Sequence, residues 1–259
     1  MKIGKYLAGL GAPFEAYLKQ DSGNKCYSFS TPEGAKWVKV LNLEQTPLAD
    51  VQAVIHFYNG LRSRLIPRNW RLVNLEDGSL MEHDWVPGRV LRSPEEDQNS
   101  ASSTYKRFMQ LPIEIRSQVY DEIVQLFLEI EGQGIIIEDF YDGCILYDFE
   151  RGQAYVCDLD HIHQGAYILG KERQYGSARF MAPEEFQKGA LIDQRTNVYT
   201  MGATGFVLLN DNCRERADWL LSEETYDVLA RATARDKEDR QRSIGEFYDQ
   251  WGEAIDEAK

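Results

Sequence analysis

Hydrophobic and polar residues alternate over much of the first third of the chain, which is the period expected of half-buried strands. Turn-forming residues at 31–34 and 76–78 separate the alternating segments. We therefore predict that residues 1–42 form strands joined by turns, with two more strands later in this third. The predicted strands cover residues 14–18, 26–30, 36–41, 70–74 and 79–83.

Apolar residues at intervals of three and four predict two amphipathic helices. The first covers residues 49–61, and the second begins at Pro112 and runs to about residue 131. Residues 92–110, between them, are polar and without periodicity, which predicts a loop. The apolar faces comprise Val51, Val54, Ile55, Tyr58 and Leu61 in the first helix, and Ile115, Val119, Ile123, Leu126, Phe127 and Ile130 in the second.

The rest of the chain mixes short strands with helices. A strand-rich first third followed by a helical remainder is the pattern of an α+β protein. With 259 residues and 43% hydrophobic content, the chain accommodates one domain of two lobes or two small domains. The strands are predicted at 135–137, 144–147 and 154–157, and the helices near 182–188, 195–210, 215–220, 223–234 and 243–256.

Charge and cysteine content restrict the partners and the compartment. A formal net charge of −13 argues against nonspecific binding to nucleic acid or to an anionic membrane surface. No run approaches the roughly 18 apolar residues that a membrane span needs, and the N-terminus lacks the apolar core of a signal peptide. The cysteines include no CxxC pair, which favours reduced thiols in a cytoplasmic protein. They are Cys26, Cys144, Cys157 and Cys213.

Two neighbouring motifs carry the most specific information. Residues 175–185 read Tyr-Gly-Ser-Ala-Arg-Phe-Met-Ala-Pro-Glu-Glu, and residues 193–202 read Asp-Gln-Arg-Thr-Asn-Val-Tyr-Thr-Met-Gly. They resemble the end of the activation segment of Ser/Thr protein kinases and the start of the buried helix behind it. From Gly9 to about Trp251, the chain resembles a divergent, bacterial-type member of the eukaryotic-like protein kinase superfamily.

The resemblance implies a bilobal protein kinase-like fold. Residues 1–83 would form a small β-rich N-lobe, and residues 84–259 a hinge and a helical C-lobe, together one kinase-like domain. The implied chemistry is transfer of the γ-phosphoryl group of ATP, with Mg²⁺ or Mn²⁺, to a hydroxyl group of a protein.

The implied catalytic loop spans residues 134–146. Within it, Asp139 stands at the position of the catalytic base. The lysine that contacts the γ-phosphate is replaced by Tyr141, and the asparagine that holds the second metal is replaced by Cys144, a poor ligand for Mg²⁺. Asp142 is absent from the usual motif and could supply the missing oxygen ligand.

A second acidic pair follows the strand predicted at 154–157. Asp158 resembles the aspartate that ligates Mg²⁺ in kinases, and Asp160 lies where small-molecule kinases of the aminoglycoside phosphotransferase type carry a second acidic residue. We expect both to be metal ligands. His161 and His163 form a nearby pair, but without further ligands we expect them to lie in a solvated loop.

In the N-terminal third, Gly9 and Gly11 resemble the first two glycines of the kinase phosphate-binding loop, and an ordinary hairpin is the alternative. Lys39 matches the lysine that contacts the α- and β-phosphates. Trp37 replaces the small residue that lies over the adenine, so the indole either stacks on the base or fills its pocket. The implied partner helix, predicted at 49–61, contains no glutamate for Lys39; its polar residues are Asp50, Gln52 and His56.

Residues 80–91 resemble the kinase hinge, and we assign Glu82 and His83 to the adenine site there. Three more residues are implied to be structural. Glu184 and Arg240 would form a buried ion pair, and Asn197 would replace an aspartate that braces the catalytic loop.

Two functions remain open at the level of sequence. The first is an active phosphotransferase that uses Lys39, Asp139 and Asp158, with a protein as the likelier acceptor than a small molecule. The second is a pseudokinase, a binding or scaffold module of the same fold, favoured by Trp37, Tyr141 and Cys144. With either function, we expect the partners to be a nucleotide and a protein substrate or binding partner, and we do not expect nucleic acid or a membrane.

Overall fold

The fold of the chain is α+β, as the periodicity predicts. A computed structural model describes residues 1–18, 23–44, 47–93, 96–98 and 100–257. The chain divides into an N-terminal unit, Met1–Pro87, and a C-terminal unit, Gly88–Lys259.

The N-terminal unit is built on one antiparallel sheet of five strands in the order β1-β2-β3-β5-β4. All five strands were predicted from the sequence, and each lies within a few residues of its predicted position. The strands are β1 (Pro13–Tyr17), β2 (Lys25–Thr31), β3 (Gly34–Val40), β4 (Arg71–Leu75) and β5 (Gly78–Asp84), and the helices of this unit are α1 (Ile3–Leu10) and α2 (Leu48–Gly60).

Helix α1 corrects the expectation that residues 1–42 contain strands alone. Its apolar residues pack on the face of the sheet that presents Phe29, Val38 and Leu80. They recur at helical spacing, but the helix has only eight residues, so its stability depends on this packing rather than on local propensity. The α1 residues in this contact are Tyr6, Leu7 and Leu10.

The opposite face of the sheet carries the aromatic residues that contact α2. Tyr58 of α2 stacks on Trp70, with ring centroids 3.8 Å apart, and Trp70 contacts His83 of β5 at 4.0 Å. Of the predicted apolar face of α2, Ile55 is only half-buried, and Phe57 is buried instead. The sheet is therefore covered on one face by α1 and on the other by α2.

The C-terminal unit is mainly helical. Its strands form a three-stranded sheet in the order β6-β8-β9 and two small antiparallel pairs, β7 with β10 and β11 with β12. Its helices are α3 (Thr104–Met109), α4 (Ile113–Gly132), α5 (Gln194–Asn210), α6 (Glu223–Ala232) and α7 (Ile244–Glu257). Its strands are β6 (Arg89–Val90), β7 (Ile135–Ile137), β8 (Ile145–Asp148), β9 (Gln153–Val156), β10 (Ile162–Gln164), β11 (Tyr167–Ile168) and β12 (Leu191–Ile192), and 3-10 turns cover Asp142–Cys144, Pro183–Phe186, Arg216–Asp218 and Lys237–Asp239.

Helix α5 is the centre of this unit, because nearly all of its residues from Thr196 onward are buried. The predicted buried face of α4 is also confirmed, except that Ile115 is exposed. Residues 92–110, expected to be a loop, contain α3, whose first turn is capped by the Ser103 hydroxyl accepting from the Lys106 amide. Part of that stretch, residues 94, 95 and 99, lies outside the described residues.

No helix in the described part of the chain is long and apolar enough to cross a membrane.

Candidate functional site

The strongest candidate site lies in the C-terminal unit, where β7 and β9 are each followed by an aspartate. Asp139 follows β7 by two residues, and Asp158 follows β9 by two residues. Both have left-handed backbone, with φ of 60° and 59°. Aspartate tolerates this conformation better than most residues, but such strain is concentrated at functional sites.

The Asp139 carboxylate has an unsatisfied oxygen atom. Its Oδ1 atom is buried and accepts no hydrogen bond from the described residues. Burial raises the pKa of Asp139; the charge of His161 opposes this shift, and the charge of Asp158 adds to it. A buried carboxylate oxygen without a protein donor is expected to have another partner, such as a ligand hydroxyl group.

Gly176, in the motif at residues 175–185, lies directly against Asp139. A Cβ atom at this position would be 3.2 Å from Asp139 Oδ1, and the φ of Gly176 is +123°, a conformation that residues with a side chain rarely adopt. The two segments that the resemblance assigns to the catalytic loop and to the activation segment therefore meet at the Asp139 carboxylate.

Asp142 is engaged differently from what we expected. Its carboxylate is fully buried and accepts from Arg179 Nη2 at 2.8 and 2.7 Å, with Arg92 at 3.8 Å. Since this ion pair neutralises the charge and occupies both oxygens, Asp142 joins the loop at residues 134–146 to the segment around Arg179. A second role as a metal ligand would require the pair to break.

Tyr141 and Cys144, the two replacements in the loop at residues 134–146, are packed inside that loop. The Tyr141 ring lies against Gly143, so that a Cβ atom at Gly143 would be 2.7 Å from Tyr141 Cζ. Cys144 is buried and donates a weak hydrogen bond from Sγ to Asp139 O, 3.5 Å away. Burial raises the pKa of the Cys144 thiol, so it stays protonated and is no metal ligand in that state.

Asp158 and Asp160 remain as carboxylate candidates for a metal. The side chain of Asp158 is exposed, and that of Asp160 is half-buried. Within the part of the chain that the structure describes, no group of three His, Cys, Asp or Glu residues is arranged to hold a metal by itself. Mg²⁺ in nucleotide sites is bound by one or two carboxylates together with phosphates and water, and two acidic residues fit that requirement.

In the N-terminal unit, Trp37 and His83 are neighbours in an aromatic column. Trp37 stacks on His83 at 6.3 Å and contacts Tyr17 at 5.6 Å, and the column continues through Trp70 to Tyr58. Burial lowers the pKa of His83 to about 4, so its imidazole is neutral at pH 7, and its Nδ1 atom lies 2.7 Å from Asp84 O. His83 therefore supports the position of the Trp37 indole.

Lys39 and Glu82, both assigned to nucleotide binding, lie on opposite faces of the sheet. Lys39 follows Trp37 by two residues on β3 and so shares its face. Glu82 is buried on the other face, where its carboxylate accepts from Tyr6 Oη at 2.6 Å and from Arg71 Nε. The Glu82 side chain therefore belongs to the contact between α1 and the sheet.

The glycines assigned to phosphate binding do not lie in a hairpin. Gly9 is in the last turn of α1, and Gly11 ends that helix with a φ of 102°. The connection between β1 and β2 is residues 18–24, of which 19–22 are outside the described residues. Gly9 and Gly11 are thus separated by β1 from the position that the resemblance assigns to them.

The predicted structural ion pair is confirmed. Arg240 donates to Glu184 Oε1 at 2.7 Å and to Oε2 at 3.0 Å. The Asn197 side chain lies against the end of β7, where its amide group donates to Ile137 O at 2.9 Å and its oxygen accepts from Ile137 N at 3.2 Å. This bracing holds the backbone two residues before Asp139.

Three residues near this site escaped the sequence analysis. Arg179 was quoted within the motif but given no partner. His161 was placed in a solvated loop, and Lys171 was not considered; both contribute to the electrostatic environment of Asp139. No periodicity or spacing identifies these three residues, because each is remote in sequence from the carboxylate that it influences and comes near it only in the folded chain.

No protein-family model matches the chain, and the curated proteins contain no match to it.

Proposed function

We propose that this protein is an ATP-dependent phosphotransferase of the Ser/Thr protein kinase-like type. The reaction is transfer of the γ-phosphoryl group from Mg-ATP, or Mn-ATP, to a hydroxyl group of a protein. The observation that carries the proposal is the buried, unsatisfied Asp139 oxygen close to Asp158, on loops with left-handed backbone.

Asp139 is assigned to the acceptor hydroxyl. As the new O–P bond forms and the bond to the ADP oxygen breaks, the hydroxyl proton passes to the Asp139 carboxylate. The raised pKa favours this step, because a carboxylate with higher proton affinity is a better base. The braced backbone at Ile137 and the close approach of Gly176 hold the carboxylate in position.

Asp158 and Asp160 are assigned to the metal ion, and Lys39 to the nucleotide phosphates. A metal held by these residues would supply positive charge that offsets the charge of the nucleotide phosphates. Asp142 is left out of this set because its carboxylate is ion-paired with Arg179. Trp37 offers an aromatic face for the adenine, on a column of rings that fixes its orientation.

The decisive experiment measures ADP release and phosphorylation of the protein itself and of casein, with Mg²⁺ and with Mn²⁺. We expect Asp139→Asn to abolish transfer while leaving folding and nucleotide binding nearly intact. The matched control is Asp249→Asn, which makes the same chemical change at an exposed position of α7. Turnover by the Asp139 variant at the wild-type rate would remove this residue from the mechanism.

A second candidate function is a pseudokinase that binds a nucleotide or a protein without turnover. It is favoured by the packing of Trp37 between Tyr17 and His83 and by the burial of Asp142 in an ion pair. Thermal denaturation with ATP, with and without Mg²⁺ or Mn²⁺, separates the two functions when combined with the transfer assay. A ligand that binds only the folded protein raises the melting temperature, even where no transfer occurs.

A further inference from the structure

The catalytic loop supplies no cation next to Asp139. In the proposed reaction, positive charge near the transferred group offsets the charge of the phosphate oxygens. The loop position from which a lysine would reach is Tyr141, and its ring is folded against Gly143. Any positive charge at this site must come from another segment of the C-terminal unit.

A lysine and a histidine converge beside Asp139 from the segment that follows β9. His161 is placed by the pairing of β7 with β10, in which its carbonyl oxygen accepts from the Glu138 amide at 2.9 Å. It is thus directly across from the peptide that leads into Asp139. Lys171 comes from the loop after β11, and its charge acts on Asp139.

Tyr175 joins these two groups to the site. The Lys171 Nζ atom lies 3.6 Å from the centre of the Tyr175 ring, and the His161 ring lies 5.7 Å from it. The next residue, Gly176, is the one that lies against the Asp139 carboxylate. A cation–π contact of this kind orients the ammonium group and leaves its hydrogen-bond donors available.

Both side chains lack hydrogen-bond and ion-pair partners among the described residues. Among the described residues, neither Lys171 Nζ nor the His161 ring makes a hydrogen bond or an ion pair. Lys188, in the same segment, does have a partner: its Nζ atom forms an ion pair with Glu172 Oε1, 3.4 Å away. Lys171 and His161 are therefore donors that remain available for an anion.

We propose that Lys171 and His161, held by Tyr175, form a phosphate-binding subsite beside Asp139. This inference rests on the proposed function and names the residues that replace the cation missing from the catalytic loop. The ligand is a phosphate group, which could be the γ-phosphoryl group of the nucleotide or a phosphate carried by the acceptor. The net charge of −13 opposes nonspecific attraction of anions to the protein.

The first test measures binding without turnover, using isothermal titration of metal-free tripolyphosphate and of inorganic phosphate into the full chain. We expect Lys171→Met to weaken tripolyphosphate binding by about tenfold, the effect of losing one charge-assisted hydrogen bond. His161→Gln is expected to weaken it as well. Lys188→Met is the matched control and should leave the affinity unchanged, since that lysine has an acidic partner.

The role of Tyr175 is tested by two further variants. Tyr175→Phe keeps the ring and should retain phosphate binding, whereas Tyr175→Ala removes the surface that holds Lys171 and should weaken binding. The same loss in both would place the effect on the phenol hydroxyl group and would contradict the cation–π arrangement. Circular dichroism of each variant checks that the fold is intact.

The second test identifies the source of the phosphate. If the subsite holds the γ-phosphoryl group, Lys171→Met slows ATP hydrolysis in the absence of an acceptor. If it holds a phosphate on the acceptor, hydrolysis is unchanged, and binding of a phosphoserine peptide is weakened instead. Either result supports the subsite.

Equal tripolyphosphate affinity in the wild type, Lys171→Met and His161→Gln would overturn the inference, as would an equal loss in the Lys188→Met control. These outcomes are separable from a failure of the proposed function. A protein that transfers phosphate with unchanged rates in both subsite variants would keep its function and lose the subsite. Lys171-dependent tripolyphosphate binding without any phosphate transfer would keep the subsite and refute the proposed catalysis.

Discussion

The ion pair between Glu184 and Arg240 gives the sharpest prediction about stability. The Arg240 side chain is fully buried, and that of Glu184 is 11% exposed. Replacing either residue by alanine leaves the other charge in an environment from which water is largely excluded. Breaking a buried pair in this way typically lowers the free energy of unfolding by about 3–5 kcal/mol.

The contacts of the two residues make their losses unequal. Besides Glu184, Arg240 donates to the carbonyl oxygens of Ala234, Arg195 and Arg235 at 2.8, 3.2 and 3.3 Å. Glu184 keeps one other donor, the Thr196 hydroxyl at 2.9 Å. Glu184→Ala should therefore cost about 3 kcal/mol, and Arg240→Ala about 4–5 kcal/mol, because the second change also leaves buried carbonyl groups without donors.

A double-mutant cycle isolates the pair itself. The variant that lacks both residues contains no uncompensated charge, so we expect it to be only about as unstable as Arg240→Ala alone. The measurement is urea denaturation followed by circular dichroism at a helix-sensitive wavelength. Arg231→Ala is the control, because Arg231 pairs with Glu246 while 41% exposed, and such surface pairs contribute about 0–1 kcal/mol.

Additive losses in the cycle would show that Glu184 and Arg240 do not interact in solution. A loss below about 1 kcal/mol for both single variants would likewise refute the reasoning, since it would place the pair in the energy range of exposed contacts.

Burial raises the pKa of Glu185 to about 8 from 4.5. The unfolded chain therefore loses this proton first, and the free energy of unfolding should fall by up to about 5 kcal/mol as the pH rises between these values. Glu185→Gln should flatten this pH dependence in denaturation measured at several pH values. Trp37→Ala should weaken ATP binding by about 1–3 kcal/mol in calorimetry, and tighter binding would show that the indole fills the base site. Asp142→Ala should lower the free energy of unfolding by about 3 kcal/mol by leaving Arg179 unpaired. The Mg²⁺ dependence of ATP binding should not change in that variant. A changed Mg²⁺ dependence would indicate that Asp142 is a metal ligand after all.

The sequence by itself determined most of the secondary structure, because helices and strands with one buried face leave their period in the order of residues. Helix α4 and the five strands of the N-terminal sheet follow from that period. The pairing of Glu184 with Arg240, and the position of Asn197 against the end of β7, followed from motif resemblance. In those cases one local pattern or one recognisable motif was enough to predict the element or the contact.

Tertiary structure decided what depends on contacts between distant segments. Helix α1 is too short to be stable alone, and its packing on the sheet determines its conformation. Register on β5 turned the Glu82 side chain towards Tyr6 rather than towards the face of Lys39. A register change of one residue would move each side chain of the strand to the other face of the sheet. The alternation of residues alone does not specify on which face a charged side chain is buried.

The candidate site shows the same division. The carboxylates at 139, 142, 158 and 160 were recognised as a set from their chemistry. Their different roles are visible only in the folded chain. Asp142 is neutralised by Arg179, which is 37 residues away in the sequence. The Asp139 Oδ1 atom, by contrast, accepts no hydrogen bond from the described residues. The chemical role of a carboxylate depends on what surrounds it, and those surroundings come from segments that are remote in sequence and adjacent only after folding.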